Sequence, residues 1–143
     1  MKKIISLTLL VLSILDLHCV SRTITGRNIK TELNAVAESI IKDRSVVYTL
    51  DQKKVGATGY FYIIRTDGTI SYHPKKALIN FNFSEYSFAK KILKEKNGCL
   101  VSTADNKTRY IFYCGIGMEE ILCLTIDDNE VDDDFQDCNS TDN

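Results

Sequence analysis

Apolar residues recur along this chain with two different periods, and the change of period marks its elements. Between Asn28 and Tyr48 they fall at Ile29, Leu33, Val36, Ile40 and Val47. Spacings of three and four line one face of a helix. From Gly59 the period drops to two. The stretch GYFYIIRTDGTISYHP, residues 59–74, holds two β-branched and aromatic runs, YFYII and TISY, suited to a pleated, half-buried surface. Asp67-Gly68 between them tolerates the positive φ of a two-residue type I′ turn. That turn sets Tyr62 opposite His73, Tyr60 opposite Lys75 and Ile64 opposite Ser71. Alternation then sends Phe61, Ile63, Ile70 and Tyr72 to the other face. One face is greasy, while the other carries phenols, an imidazole and an ammonium. An ordinary two-faced sheet with its polar side in water gives the same pattern.

The remaining elements follow from breakers and caps. Asp51 to Thr58, DQKKVGAT, is polar and reads as the loop into the first strand. After Pro74, KKALINFNF is irregular. Ser84 is a plausible N-cap for a second helix through Lys96, with Ala89, Ile92 and Leu93 inward and Asn97-Gly98 ending it. Cys99 to Ala104 then turns at Asp105-Asn106 into a strand from Thr108 to Ile116. Met118-Glu119 turns that strand into Ile121 to Ile126. Short connections imply an antiparallel sheet of about five strands with the helices to one side, an α+β layer fold.

The beginning and end of the chain differ from this body. Lys2 and Lys3 precede an apolar run from Ile4 to Leu15, a basic n-region and an h-region of signal-peptide length that falls short of the roughly 20 residues of a membrane span. Residues 1–19 are therefore expected to direct export to the periplasm or cell envelope. Cys19 stands where a lipoprotein signal places its acylated cysteine, although Asp16-Leu17-His18 fits such a signal poorly. Simple cleavage nearby and an uncleaved signal anchor are the alternatives, so membrane contact is expected only through a lipid or the leader. Residues 20–126 hold sixteen Lys/Arg against ten Asp/Glu, whereas residues 127–143 hold eight acids and no base. The acidic tail is expected to be a flexible, solvated extension. It lacks the turn glycine and spacing of a calcium loop.

Residues 58–126 resemble a single Cache domain, the PAS-like extracytoplasmic module of bacterial chemoreceptors and sensor kinases. The resemblance is carried by TGYFYIIRTDGTISYHP, by FNFSEYSFAKKILKEKNG and by the closing strands RYIFYCGI and ILCLTID. It implies a PAS-like antiparallel sheet with a long N-terminal helix and a short helix covering it. It also implies a pocket for a small carboxylate, amino acid or amine. On this chain Tyr60, Tyr62, His73, Lys75 and Tyr110 are the expected ligand-binding residues. The tryptophan of the amino-acid-binding members is missing. His73 has a structural alternative, a ring nitrogen bonded to backbone beside the Pro74 bend. No second apolar run follows the hairpin, so a signal is expected to pass through a membrane-protein partner. A ligandless PAS-like module that docks a protein is the rival reading.

Residue inventory argues against chemistry. After export His73 is the one histidine left, too few for a zinc cluster or a metal site built on imidazoles. No G-x-S-x-G, H-E-x-x-H or phosphate-cradling loop occurs, so neither catalysis nor a cofactor is expected. The lysines are scattered, which argues against nucleic acid. Four cysteines remain beyond Cys19: Cys99, Cys114, Cys123 and Cys138. A two-residue turn at Met118-Glu119 would set Cys114 directly opposite Cys123, within reach of a disulfide. Cys99 could instead reach Cys114, and Cys138 could clip the tail to the body or to another chain. Small buried apolar residues are the alternative for the first three.

Overall fold

The computed structural model describes residues 23–132 and 138–140. The stretch expected to be a leader, with Cys19 as its expected lipidation site, lies outside the described residues. No helix among the described residues is long and apolar enough to cross a membrane.

Helix α1 spans Gly26–Lys42, and the Thr25 hydroxyl caps it by accepting from the Asn28 amide at 3.2 Å. Ile29, Leu33, Val36, Ala37 and Ile40 form its buried stripe. Each of the four branched side chains contributes about 1.5–3 kcal/mol on leaving water. The helix stops short of the expected Tyr48. Asp43 adopts an extended backbone and its carboxylate accepts from the Ser45 amide at 2.9 Å, a local bond that competes with the helical one. The chain continues as a 3₁₀ segment, Arg44–Gln52, which buries Val47 and Leu50.

The hairpin pairs β1 (Tyr60–Arg65) with β2 (Ile70–Tyr72), but through a longer turn than expected. The Arg65 amide donates to Thr69 O, and the Gly68 amide donates to Arg65 O. With Gly68 at φ +89°, the three-residue loop Thr66-Asp67-Gly68 replaces the two-residue type I′ turn. A bulge between Ile63 and Ile64 absorbs the difference, so Ile63 faces Tyr72 while Ile64 faces Ile70 rather than Ser71. Ile70 thereby crosses to the face that holds Tyr62 and Ile64. Gly68 is required for a second reason: a Cβ there would meet the Ser84 backbone at 2.8 Å.

Helix α2 spans Ser87–Glu95. Ser84 is not its cap: the helix begins at Ser87 with Tyr86 in the N-cap position, and Ser84 sits in a separate turn, its amide donating to Asn82 Oδ1 at 2.8 Å. Lys96, at φ +60°, ends the helix before Gly98. Strands β3 (Gly98–Ala104), β4 (Lys107–Gly115) and β5 (Glu120–Asp127) form the expected meander, and Asp105 and Asn106 both take positive φ at the first turn. The sheet order is β2-β1-β5-β4-β3-β6, where β6 is the two-residue strand Asn139–Ser140 running parallel to β3. The architecture is α+β and PAS-like, with five antiparallel strands and one short parallel addition.

The helices do not share a side. Helix α1 packs on β4 and β5 over a core containing Phe61, Ile63, Phe112, Leu122 and Leu124. Helix α2 covers the other face, with Ile92 beside Leu100, Ile111 and Tyr113. Strand β5 is buried on both faces from Ile121 to Ile126, which is why its sequence reads as a near-continuous apolar run. The phenolic face is therefore covered, and the alternative of a polar side open to water does not hold.

Two expectations for the cysteines and the tail are corrected. The β4–β5 turn is longer than two residues, with the Ile116 amide bonded to Glu120 O and Gly115 opposite Ile121. The register therefore shifts by one, Cys114 faces Leu122, and Cys123 faces Tyr113. A one-residue shift moves side chains to opposite faces, so Cys114 and Cys123 are free, buried thiols in two different cores. The disulfide instead joins Cys99 to Cys138, with Cα atoms 4.9 Å apart. The described part of the tail is likewise attached. The Glu130 carboxylate accepts from the Ala57 and Thr58 amides at 2.6 and 2.9 Å, and Val131 is buried in a bridge to Ile24.

Candidate functional site

A cavity of about 160 Å³ lies on the α2 side of the sheet, between the strands and the segment that follows β2. That segment runs along the β2 edge almost as another strand. Ile70 exchanges backbone bonds with Asn80 and Phe81, and the Phe83 amide donates to Gly68 O. This pairing covers an edge that would otherwise be open and sets Leu78 and Phe83 over the cavity; Phe88, in α2, joins them.

The floor is built by strand alternation. Tyr60 and Tyr62 from β1, Thr125 from β5, Arg109 and Ile111 from β4, and Ser102 from β3 all point to this side. Tyr60 and Thr125 are direct cross-strand partners, and the Thr125 hydroxyl lies on the same face as both phenols. Burial raises the pKa of Tyr60 and raises that of Tyr62 well above the usual phenol value, so both remain protonated donors. His73 closes one wall with only 9% of its surface exposed. Its ring stands edge-on to Tyr60 at 5.4 Å and tilted to Tyr62 at 5.6 Å. The Lys75 amide donates to His73 Nδ1 at 2.9 Å. Burial, then the Lys75 charge, holds the imidazole pKa below its ordinary value. A neutral ring that accepts at Nδ1 carries its proton on Nε2, which makes His73 a donor toward its surroundings.

Tyr60, Tyr62 and His73 thus come together. Lys75 does not join them: its backbone fixes His73, while its side chain is exposed and outside the lining. Tyr110 faces the α1 core beside Phe112, with ring centroids 6.2 Å apart. Its neighbour Arg109 takes the pocket position instead. Arg109 Nε donates to Asp127 Oδ1 at 3.1 Å across the β4–β5 pair, and both side chains are partly exposed. Sequence reasoning missed Arg109, Ser102 and Thr125. The Asp105-Asn106 turn does predict Ser102 opposite Arg109, but which face that pair shares with Tyr60 depends on the register of β5.

No protein-family model matches the chain, and no curated protein matches it. Solved structures do. A methyl-accepting chemotaxis protein from Vibrio parahaemolyticus is 14% identical with a TM-score of 0.58, over 72% of this chain and 91% of that one. The extracellular domain of the putative histidine kinase mmHK1S-Z3 is 22% identical with a TM-score of 0.51, over 61% of this chain and 36% of that one. The fold is that of a Cache-type sensor domain. The ligand-binding domain of the Pseudomonas aeruginosa amino acid chemoreceptor PctB, solved with L-Gln, is 20% identical with a TM-score of 0.47, over 61% of this chain and 36% of that domain. The chain spans little more than a third of the length of those two longer chains. In this chain the cavity occupies the sheet face opposite the N-terminal helix.

Proposed function

We propose that this domain is an exported, non-catalytic sensor module that binds a small molecule in the cavity over β1, β5 and β4. The observation that carries the reading is the convergence of Tyr60, Tyr62, His73 and Arg109 on one half-open, largely apolar hollow, the usual make-up of a ligand site. Its size favours a compact ligand, because an apolar cavity of about 150 Å³ takes a benzene-sized guest. The lining supports binding rather than catalysis. His73 presents Nε2–H and so has no free nitrogen to act as a base. The nearby Cys123 thiol is held protonated by burial.

Export is supported by the leader pattern and by the Cys99–Cys138 bond, since disulfides persist in oxidising compartments. The Cache-type fold supports readout through a membrane-protein partner. A thermal-shift screen of the full chain against amino acids, amines, short carboxylates and purines tests the reading. A ligand that binds only the native state produces a saturable rise in melting temperature, and Tyr62→Ala should abolish it without unfolding the chain. A flat screen on well-folded protein would favour the ligandless docking module.

A further inference from the structure

We propose that the cavity selects a carboxylate with a short apolar body and no ammonium group, with Arg109 as its anchor and Asp127 as an internal competitor for that anchor. This rests on the reading of the cavity as a ligand site. The polar groups lining it are the phenols of Tyr60 and Tyr62, the His73 Nε2–H, the Ser102 and Thr125 hydroxyls and the Arg109 guanidinium. Every one of them can donate. Among the described residues no carboxylate lines the cavity. A carboxylate is an acceptor and an ammonium is purely a donor, so this lining satisfies the first and leaves the second without a charged partner.

Arg109 supplies the matching charge. Asp127 takes its Nε, and among the described residues no hydrogen bond is made by the two terminal nitrogens. An arginine head holds a carboxylate best through two parallel bonds, and those nitrogens are the donors left for the purpose. Leu78, Phe83, Phe88 and Ile111 form the apolar wall for the ligand's body.

Asp127 competes because its carboxylate draws on the same guanidinium that the ligand needs. A plain cross-strand tie would behave differently. If the Arg109–Asp127 pair merely held β4 to β5, losing either residue would loosen the floor and weaken binding alike. Competition predicts opposite signs.

Calorimetric titration of the full chain with four matched probes tests this: isobutyrate, isobutyramide, isobutylamine and valine. Isobutyrate should saturate one site, and the other three should bind about tenfold more weakly or worse, as expected for loss of a charged hydrogen bond. Arg109→Gln should weaken isobutyrate by a similar factor, whereas Asp127→Asn should tighten it severalfold, with unchanged circular dichroism spectra as the folding control. Isobutylamine or valine binding as tightly as isobutyrate would overturn the selectivity while leaving the cavity a ligand site. Parallel losses in Arg109→Gln and Asp127→Asn would overturn the competitor role. No binding by any of the four up to about 10 mM, where even millimolar affinities register, would overturn the whole inference, and the wider screen would still decide whether the cavity is a site.

Discussion

Cys99 in β3 is bonded to Cys138, and from the next residue the chain lies parallel to β3 as β6, with Leu100 beside Asn139 and Val101 beside Ser140. The bond closes a loop with a sequence separation of 39 residues around β4 and β5. Loop entropy of that length is worth about 4 kcal/mol at 25 °C. Cys138→Ser should therefore lower the urea midpoint strongly, and reducing agent should do the same to the parent chain and nothing to the variant. Equal midpoints with and without reductant in the parent would show that no such bond holds the tail.

Cys114 and Cys123 lie in different cores, and burial pushes the Cys114 thiol pKa up to about 11. Cys123, fully buried, is raised further. Thiols that are protonated and inaccessible react slowly. Mass-mapped alkylation of the native chain should leave both unmodified, and denaturant should expose both as free thiols. Recovery of a Cys114–Cys123 disulfide peptide would mean that the β4–β5 register is the shorter one.

Glu130 ties the end of β5 to the loop before β1, and Gly56 makes room for it. Gly56 has φ +64°, and a Cβ there would collide with Glu130 Oε2. Gly56→Ala should destabilise by about 1–2 kcal/mol from backbone strain alone, and more if the carboxylate is displaced. Glu130→Ala removes the same contact, so a double-mutant cycle should show clear non-additivity. Strict additivity would mean that the glycine and the carboxylate act independently. Burial works to raise the Glu130 pKa, but bonds from Thr58 and Ala57 outweigh it and hold it low. Its contribution is accordingly present above the unfolded carboxyl pKa and is lost as pH falls through the folded value.

His73 gives a second pH signature. Its folded pKa lies below the ordinary value, mainly through burial. The unfolded chain therefore binds more protons once pH drops below about 6.5, and stability falls with pH from there. Denaturation curves between about pH 5 and 7, above the range where carboxylates dominate, should show this slope in the parent and a flatter one in His73→Asn. The same slope in both would assign the effect to other groups.

Much of the fold is legible in the local pattern. The α1 stripe at Ile29, Leu33, Val36 and Ile40 appears where the period of the sequence puts it. The Asp105-Asn106 turn takes the positive φ values its residue types allow. The aromatic alternation from Tyr60 to Tyr62 correctly separates a phenolic face from Phe61 and Ile63, because period two is a property of the strand itself. The Cache resemblance rests on these same local features.

What remained for the tertiary structure was relational. Asp43 stops α1 because its own side chain bonds Ser45, a choice that periodicity does not register. The number of residues in a turn decides strand register, and register decides faces. One extra residue at the Asp67-Gly68 turn required a bulge and moved Ile70. The longer turn before Glu120 separated Cys114 from Cys123. The position of β5 between β1 and β4 put Arg109, rather than Tyr110, beside Tyr60 and Tyr62. The sequence by itself determined which residues alternate, cap and turn, since those depend on neighbours a few positions away. Only the packed sheet decided which of two faces each alternation serves, because that depends on hydrogen bonds between strands far apart in the chain.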